Sequence, residues 1–203
     1  MLLCSITISA HGFEVDGIYY NIIDFSGKAV EVTNNGANNS YKGQVVIPES
    51  VEYNGTIYRV TSIGEDALSN CGELTSVVIP ASVTTIRRYA FNYSKILSSI
   101  VIPNSVTNIG CFAFSDCSSL DSINIPNGVT EIGQSAFARC SSLASISIPN
   151  NVTNIYFRVF SSCSSLTSIS IPNSVKYIAN EAFANCSSLT SMTIGESVKS
   201  IGE

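Results

Sequence analysis

The chain has 203 residues, 45% of them apolar and only 12% charged, and a formal net charge of −5. So low a charge density leaves Ser, Thr and Asn to keep the surface hydrated, and an acidic balance without a basic cluster argues against nucleic acid or an acidic membrane as partner. No apolar run reaches the ~18 to 20 residues that a bilayer-spanning helix needs.

The first ten residues, MLLCSITISA, form an apolar run that ends in small residues, as the later part of a secretory signal peptide does, though without the basic start. Residues 1–12 are read as a signal-peptide remnant cut near Ala10, with a buried strand as the alternative. From Phe13, FEVDGIYYNII alternates apolar and polar residues around Asp16-Gly17, the pattern of two antiparallel strands joined by a two-residue turn. KAVEVT predicts a third strand, and the Asn- and Gly-rich stretch 34–40 predicts a loop. Residues 13–44 are therefore read as an antiparallel β cap over the apolar end of a repeat array.

The array itself spans 45–203. Leu74, Leu97, Leu120, Leu143, Leu166 and Leu189 are spaced by 23 residues, as are Pro80, Pro103, Pro126, Pro149 and Pro172, and Ile and Val columns keep the same step. A period of this size marks a solenoid whose units bury their apolar faces against one another. Between Pro48 and Pro80 the step is nine residues too long, and Asn54-Gly55 between Tyr53 and Ile57 predicts that a β-hairpin near 52–60 absorbs the excess. Within a unit, Leu120-x-x-Ile123-x-Ile125 reads as a strand with alternate residues inward, and Pro126 ends its pairing. Ala136-Phe137-x-x-Cys140 has apolar spacing suited to one short α or 3₁₀ turn on the opposite wall. The expected fold is thus an α/β solenoid with one short strand and one short helical turn per coil, a parallel sheet, and an N-terminal antiparallel cap. The chain stops partway through a coil begun at Ile194, so the last repeat reads as incomplete. The expectation is either a longer array or self-association through that open end.

The repeat IPxxVTxIGxxAFxxCSSLTSIxI, over roughly 47–203, resembles that of the BspA-like leucine-rich-repeat surface proteins, and FEVDGIYYNI is similar to their N-terminal segment. The resemblance implies a secreted or surface-displayed protein that adheres to extracellular-matrix proteins or to other cells. The alternative is a structural spacer that presents a domain lying outside this sequence.

Chemistry-bearing residues are sparse. Cys71, Cys117, Cys140, Cys163 and Cys186 share one column with Ser94, and they read as buried thiols acting as small hydrophobes, since stacked side chains point the same way. Cys111 lies off the column and reads as an exposed thiol. There is no C-x-x-C, so no metal or other cofactor is expected. The lone histidine, His11, rules out a Ser-His or Cys-His pair in the repeats, and Glu73, Asp116, Asp121, Glu131 and Glu181 fall in different columns, so no catalytic residue is assigned. Sequons at Asn38, Asn54, Asn92, Asn151 and Asn185 read as plain surface asparagines.

Binding is expected on the outward strand columns, chiefly Ser122, Asn124, Ser145, Ser147, Ser168 and Ser170, where regular spacing lets weak contacts with a protein or glycan accumulate. The rival surface is a turn patch of Tyr89, Phe112, Tyr156 and Phe157, aromatic residues in slots that are otherwise polar or glycine.

Overall fold

The computed structural model describes residues 12–36 and 41–203; the signal-peptide reading, His11, Cys4 and the Asn38 sequon fall outside them. The described residues open on an antiparallel sheet of β1 (Phe13–Val15), β2 (Ile18–Asp24) and β3 (Ala29–Thr33). Asp16 (φ 51°) and Gly17 (φ 78°) make the first turn, both in the left-handed region that a tight hairpin requires. β3 then pairs in parallel with β6 (Thr56–Ile63), which folds back on β5 (Ser50–Tyr53) through Asn54 and Gly55. That hairpin takes up the excess residues and restores the 23-residue register, Ser62 opposite Thr85 and Ile63 opposite Ile86.

The first sheet is docked by side chains. Phe13 stacks on Tyr53 with ring centroids 4.1 Å apart, the Tyr41 hydroxyl donates to the Thr33 carbonyl, and Arg87 of the repeat forms an ion pair with Glu31 at 3.1 Å.

Each coil has two short strands. The front strands run from β4 (Lys42–Val46) through Glu73–Val78, Ser99–Val101, Ser122–Ile123, Ser145–Ile146, Ser168–Ile171 and Ser191–Ile194. A second set, Thr85–Ile86, Asn108–Ile109, Glu131–Ile132, Asn154–Ile155, Tyr177–Ile178 and Ser200–Ile201, continues from β6. Where neighbours pair they do so in parallel, with a step of 23 from Glu73 onward, as in Ser122 with Ser145 and Asn108 with Glu131, whereas β4 meets Glu73–Val78 with a step of 31 to 32. The second strand was not foreseen, because two residues are too short to show a period of two.

The expected helical turn is absent: among the described residues there is no helix. The wall is a run of tight turns whose alternate N–H groups point in different directions. Ala113, Ser115 and Cys117 donate three residues back, to Gly110, Phe112 and Phe114, whereas Phe112, Phe114 and Asp116 donate to Gln134, Ala136 and Ala138 of the next coil. This alternation needs left-handed residues at two points per coil, Phe112 (φ 58°) and Asp116 (φ 62°) here, and Tyr89, Tyr93, Ser135, Arg139, Arg158 and Ser162 likewise. A left-handed residue every four positions excludes helix. Stacked coils lie close enough for backbone groups to bond between them, so each junction gains ladder bonds that offset the strain of non-glycine residues at positive φ.

Inside, each column meets itself. Phe91, Phe114, Phe137 and Phe160 are buried and stack, with Phe183, at 5.0, 5.3, 5.8 and 5.5 Å between centroids. The cysteine column is more than apolar filling. The Sγ of Cys117, Cys140, Cys163 and Cys186 donates to the carbonyl of Phe91, Phe114, Phe137 and Phe160 at 3.1 to 3.2 Å, and the Oγ of Ser94 in the same slot donates to Leu68 at 2.6 Å. The described residues contain no disulfide, and Cys111 is half-buried. In the last coil Ile194 and Ile201 are 46% and 58% exposed.

This packing sets three expected outcomes. Leu143 is fully buried, so Leu143→Ala is expected to cost ~2 to 5 kcal/mol in chemical denaturation by leaving a cavity, while Ser145→Ala, on the outer face, costs little. If Cys140 serves as a donor, Cys140→Ser retains stability better than the more apolar Cys140→Val, by about 1 kcal/mol. Burial lifts the Cys163 thiol from 9.0 to about 12, and Cys117, Cys140 and Cys186 are raised for the same first reason. Such thiols stay neutral when folded but ionise in the unfolded chain, so their stabilisation is complete below pH 9.0 and is lost as pH rises from there towards about 12. Tyr20, raised to about 12 by burial and then by Asp16, acts in the upper part of that window. The unfolding midpoint should fall over this range, and Cys117→Ser with Cys140→Ser and Cys163→Ser should flatten the fall.

Candidate binding surface

Alternation along the front strands sends Ile123, Ile146 and Ile169 inward and their neighbours out. The outward residues form two columns. One holds Gln44, Ser76, Ser99, Ser122, Ser145, Ser168 and Ser191; the other holds Val46, Val78, Val101, Asn124, Ser147, Ser170 and Thr193. Seven strands at ~4.8 Å give a face ~29 Å long. Its C-terminal part is an open groove of about 960 Å³ that contains all six residues expected from the sequence, Ser122, Asn124, Ser145, Ser147, Ser168 and Ser170.

The hydroxyls of Ser145, Ser147 and Ser168 are exposed and make no hydrogen bond among the described residues, so their hydrogen-bonding capacity is open to a partner. Ser122 donates to Asp121 Oδ1 at 2.8 Å, and Thr193 donates to Ser170 Oγ at 2.9 Å. Asp121 is the one charged residue lining the groove, and sequence reasoning left it out because it sits one position before the alternating pair. Gln44 and Val46 were missed too, since β4 precedes the first recognisable Leu of the repeat.

The four aromatic residues of the rival patch fall into two pairs along the turns. Tyr89 and Phe112 stack at 5.0 Å between centroids, with the Arg88 guanidinium 4.5 Å over the Tyr89 ring and donating to its hydroxyl at 2.8 Å. Tyr156 and Phe157 lie two coils beyond Phe112, with Gly133, Gln134 and Ser135 intervening. Arg158 covers Phe157 at 4.7 Å and forms an ion pair with Glu181 at 2.7 Å. Tyr156 occupies the slot of Gly133, where an added Cβ would lie 2.5 Å from the Cys111 nitrogen. Tyr89, Phe112 and Phe157 are half-buried and Tyr156 is exposed.

The carboxylates noted in the sequence do not share a cleft. Glu73 pairs with Lys42, Asp116 with Arg139, Glu181 with Arg158, Glu131 with Asn108 and Asp121 with Ser122. Among the described residues no three His, Cys, Asp or Glu side chains gather as metal ligands would, and no helix is long and apolar enough to cross a membrane. Asn92 is buried, so that sequon is not a surface asparagine; Asn54, Asn151 and Asn185 are exposed.

A family model described as the BspA type leucine rich repeat region matches residues 35–98 and 84–203 with six copies. Among solved structures, a leucine-rich repeat protein from Bacteroides ovatus superposes with a TM-score of 0.72 and 34% identity, covering 94% of this chain and 55% of its own. The leucine rich repeat protein of T. pallidum gives 0.81 and 29%, covering 94% of this chain and 85% of its own. A leucine rich cell surface protein from Faecalibacterium prausnitzii gives 0.67 and 29%, covering 91% of this chain and 55% of its own. The chain thus spans about half the length of the Bacteroides and Faecalibacterium proteins. No curated protein matches the sequence.

If the outward columns carry no structural duty, Ser145→Lys with Ser168→Lys should leave the unfolding free energy within about 0.5 kcal/mol of the parent, as measured by denaturant titration.

Proposed function

The chain belongs to the BspA-type leucine-rich-repeat family, and we propose that it is a secreted or surface-displayed interaction protein that adheres to a host or microbial macromolecule through its front strand face. The observation that carries this reading is the array of exposed serine hydroxyls, open to a partner, at one strand spacing around Asp121 and Asn124. Hydrogen-bonding groups repeated every ~4.8 Å suit an extended partner that touches several coils at once, each contact weak and the sum specific. Surface display is supported by the Faecalibacterium neighbour, a cell surface protein, and by the apolar start of residues 1–12. The partner is a protein or a glycan, with extracellular matrix as one source.

A second reading places the contact on the turns, favoured by the Arg88–Tyr89–Phe112 stack, since Arg and Tyr dominate tight interfaces. It is the weaker reading, because each aromatic pair already has its own arginine and the two pairs are apart.

The deciding experiment is a binding screen against immobilised matrix proteins and glycans. Ser145→Lys with Ser168→Lys is expected to weaken capture at least 10-fold, while Tyr156→Ser with Phe157→Ser leaves it unchanged. Loss confined to the second pair would move the site to the turns. No capture by any form would leave the spacer, a chain that only holds another domain at a distance.

A further inference from the structure

The groove on the front face is polar with almost no charge. It runs across five coils, from that of Ser99 to that of Ser191, and Asp121 is the one charged residue that lines it; no lysine, arginine or aromatic ring does, and the valines of the second column lie outside it. Its isoleucines, such as Ile123 and Ile146, are buried. A polymer bearing sulfate, phosphate or carboxylate therefore meets no cation here, and a peptide's aromatic or aliphatic anchors meet no apolar pocket.

The groove offers instead a double row of groups that both donate and accept. Along one strand the two outward residues stand ~6.8 Å apart, as Ser145 and Ser147 do on either side of the inward Ile146. Across the strands each such pair recurs once per coil. The coil step is ~4.8 Å at the strands, and 5.0 to 5.8 Å at the stacked phenylalanines behind them. Among the described residues the hydroxyls of Ser145 and Ser147 and the amide of Asn124 make no hydrogen bond, and Asp121 accepts from Ser122 on Oδ1 and leaves Oδ2 open.

This geometry selects among extended partners. A chain of pyranoses joined through equatorial bonds, as in cellulose or chitin, is a flat ribbon with hydroxyls along both edges, and each sugar lengthens it by about one coil step. Laid along the solenoid axis, the ribbon sets one sugar on each coil with its two edges against the two columns. An extended peptide laid the same way brings like-facing side chains every ~6.8 Å and falls out of step by the second coil. A sugar hydroxyl also donates and accepts as serine does, so the match requires no fixed charge, and the open carboxylate oxygen of Asp121 and the amide of Asn124 add an acceptor and two donors for neighbouring sugar hydroxyls.

Resting on the reading of the front face as the binding surface, we propose that its hydroxyl groove binds a neutral, linear polysaccharide of the cellulose or chitin type, running along the solenoid axis with one sugar per coil over five coils. Each coil contributes a weak contact, and the contacts accumulate along the chain.

The test measures binding of oligosaccharides to the full chain immobilised on a sensor surface. The probes are cello-oligosaccharides and N-acetylated chito-oligosaccharides of three to six sugars. In at least one series affinity is expected to rise about 10-fold from three sugars to five and to level off at six, where the groove ends. Maltohexaose, whose linkage coils the same glucose units into a helix, and a six-sugar hyaluronan, whose linkages are equatorial but whose alternate sugars carry carboxylates, should bind about 10-fold more weakly or not at all. Ser145→Ala plus Ser147→Ala, and separately Asp121→Ala plus Asn124→Ala, should each weaken the five-sugar probe about 10-fold by removing two hydrogen-bonding groups. All four positions are exposed, so thermal unfolding should match the parent and exclude misfolding as the cause. Binding by neither series, affinity that does not grow with chain length, equal binding of maltohexaose or hyaluronan, or binding indifferent to the serine variant would overturn the proposal. Should any of these come with loss of matrix capture in Ser145→Lys plus Ser168→Lys, the front-face reading stands and only the polysaccharide assignment falls; if matrix capture is also indifferent to that pair, both fall.

Discussion

The structure depends on one constraint, that every coil bonds its backbone to the next at a fixed step. On the wall of turns the N–H of residue i donates to the carbonyl of residue i+22, as Phe91 does to Ala113 and Phe137 to Val159; at the second strand the sense reverses, as in Gly133 to Ile109. A ladder of this kind admits no coil longer than its neighbours. Nine extra residues in the first repeat must leave the stack, and they do so as the β5–β6 hairpin, which satisfies its own backbone groups. The same constraint explains why Tyr, Phe and Arg sit at positive φ: the bonds on either side hold them there, at a cost of order 1 to 3 kcal/mol each that an isolated turn would not bear.

A stack with one step forces each side chain to live against its own copy. That selects groups that tolerate self-contact: flat rings that stack in offset register, as the phenylalanines do, and small donors that reach a carbonyl of the preceding coil. Ser94 is instructive because it breaks the chemical type of its column yet keeps the bond, donating to Leu68 as the cysteines donate to Phe91 and its successors. What the column keeps is thus a donor of small volume, and thiol reactivity is incidental to it. The burial that raises these pKa values also suppresses the thiolate, so the ladder is chemically quiet at neutral pH.

Much of this was legible in the sequence, because periodicity is a direct record of stacking. The step of 23, the inward Leu and Ile columns, the Asp16-Gly17 and Asn54-Gly55 turns and the outward Ser122, Ser145 and Ser168 could all be read from spacing and turn chemistry. The wall could not. Ala-Phe-x-x-Cys has the spacing of a helical turn, but spacing cannot distinguish a helix that bonds within itself from turns that bond to a neighbouring coil. The left-handed positions are signalled by Asp66, Asn70, Asp116 and Asn185, residue types that tolerate positive φ, and masked by Tyr89, Tyr93 and Phe112 in the same columns. The residues of the turn patch divide in the same way: Tyr89 and Phe112 share one column, whereas Tyr156 and Phe157 occupy the two columns before it.

A repeat that must be uniform inside is free to vary outside, and that freedom is where partner choice can be written. The inward columns of the front strands stay Leu and Ile almost throughout, because a change there disturbs two interfaces at once. The outward second column faces solvent, so Val46, Val78 and Val101 can give way to Asn124 and then to hydroxyls at little cost to the fold. A strictly periodic hydroxyl face would bind an extended partner in any of several registers shifted by one coil, gaining affinity from repetition but no preferred position. The apolar Val46, Val78 and Val101 at one end, followed by Asn124, break that degeneracy, since only one register places apolar on apolar. In the proposed front-face contact, repetition would supply the reach and the departure from repetition its address.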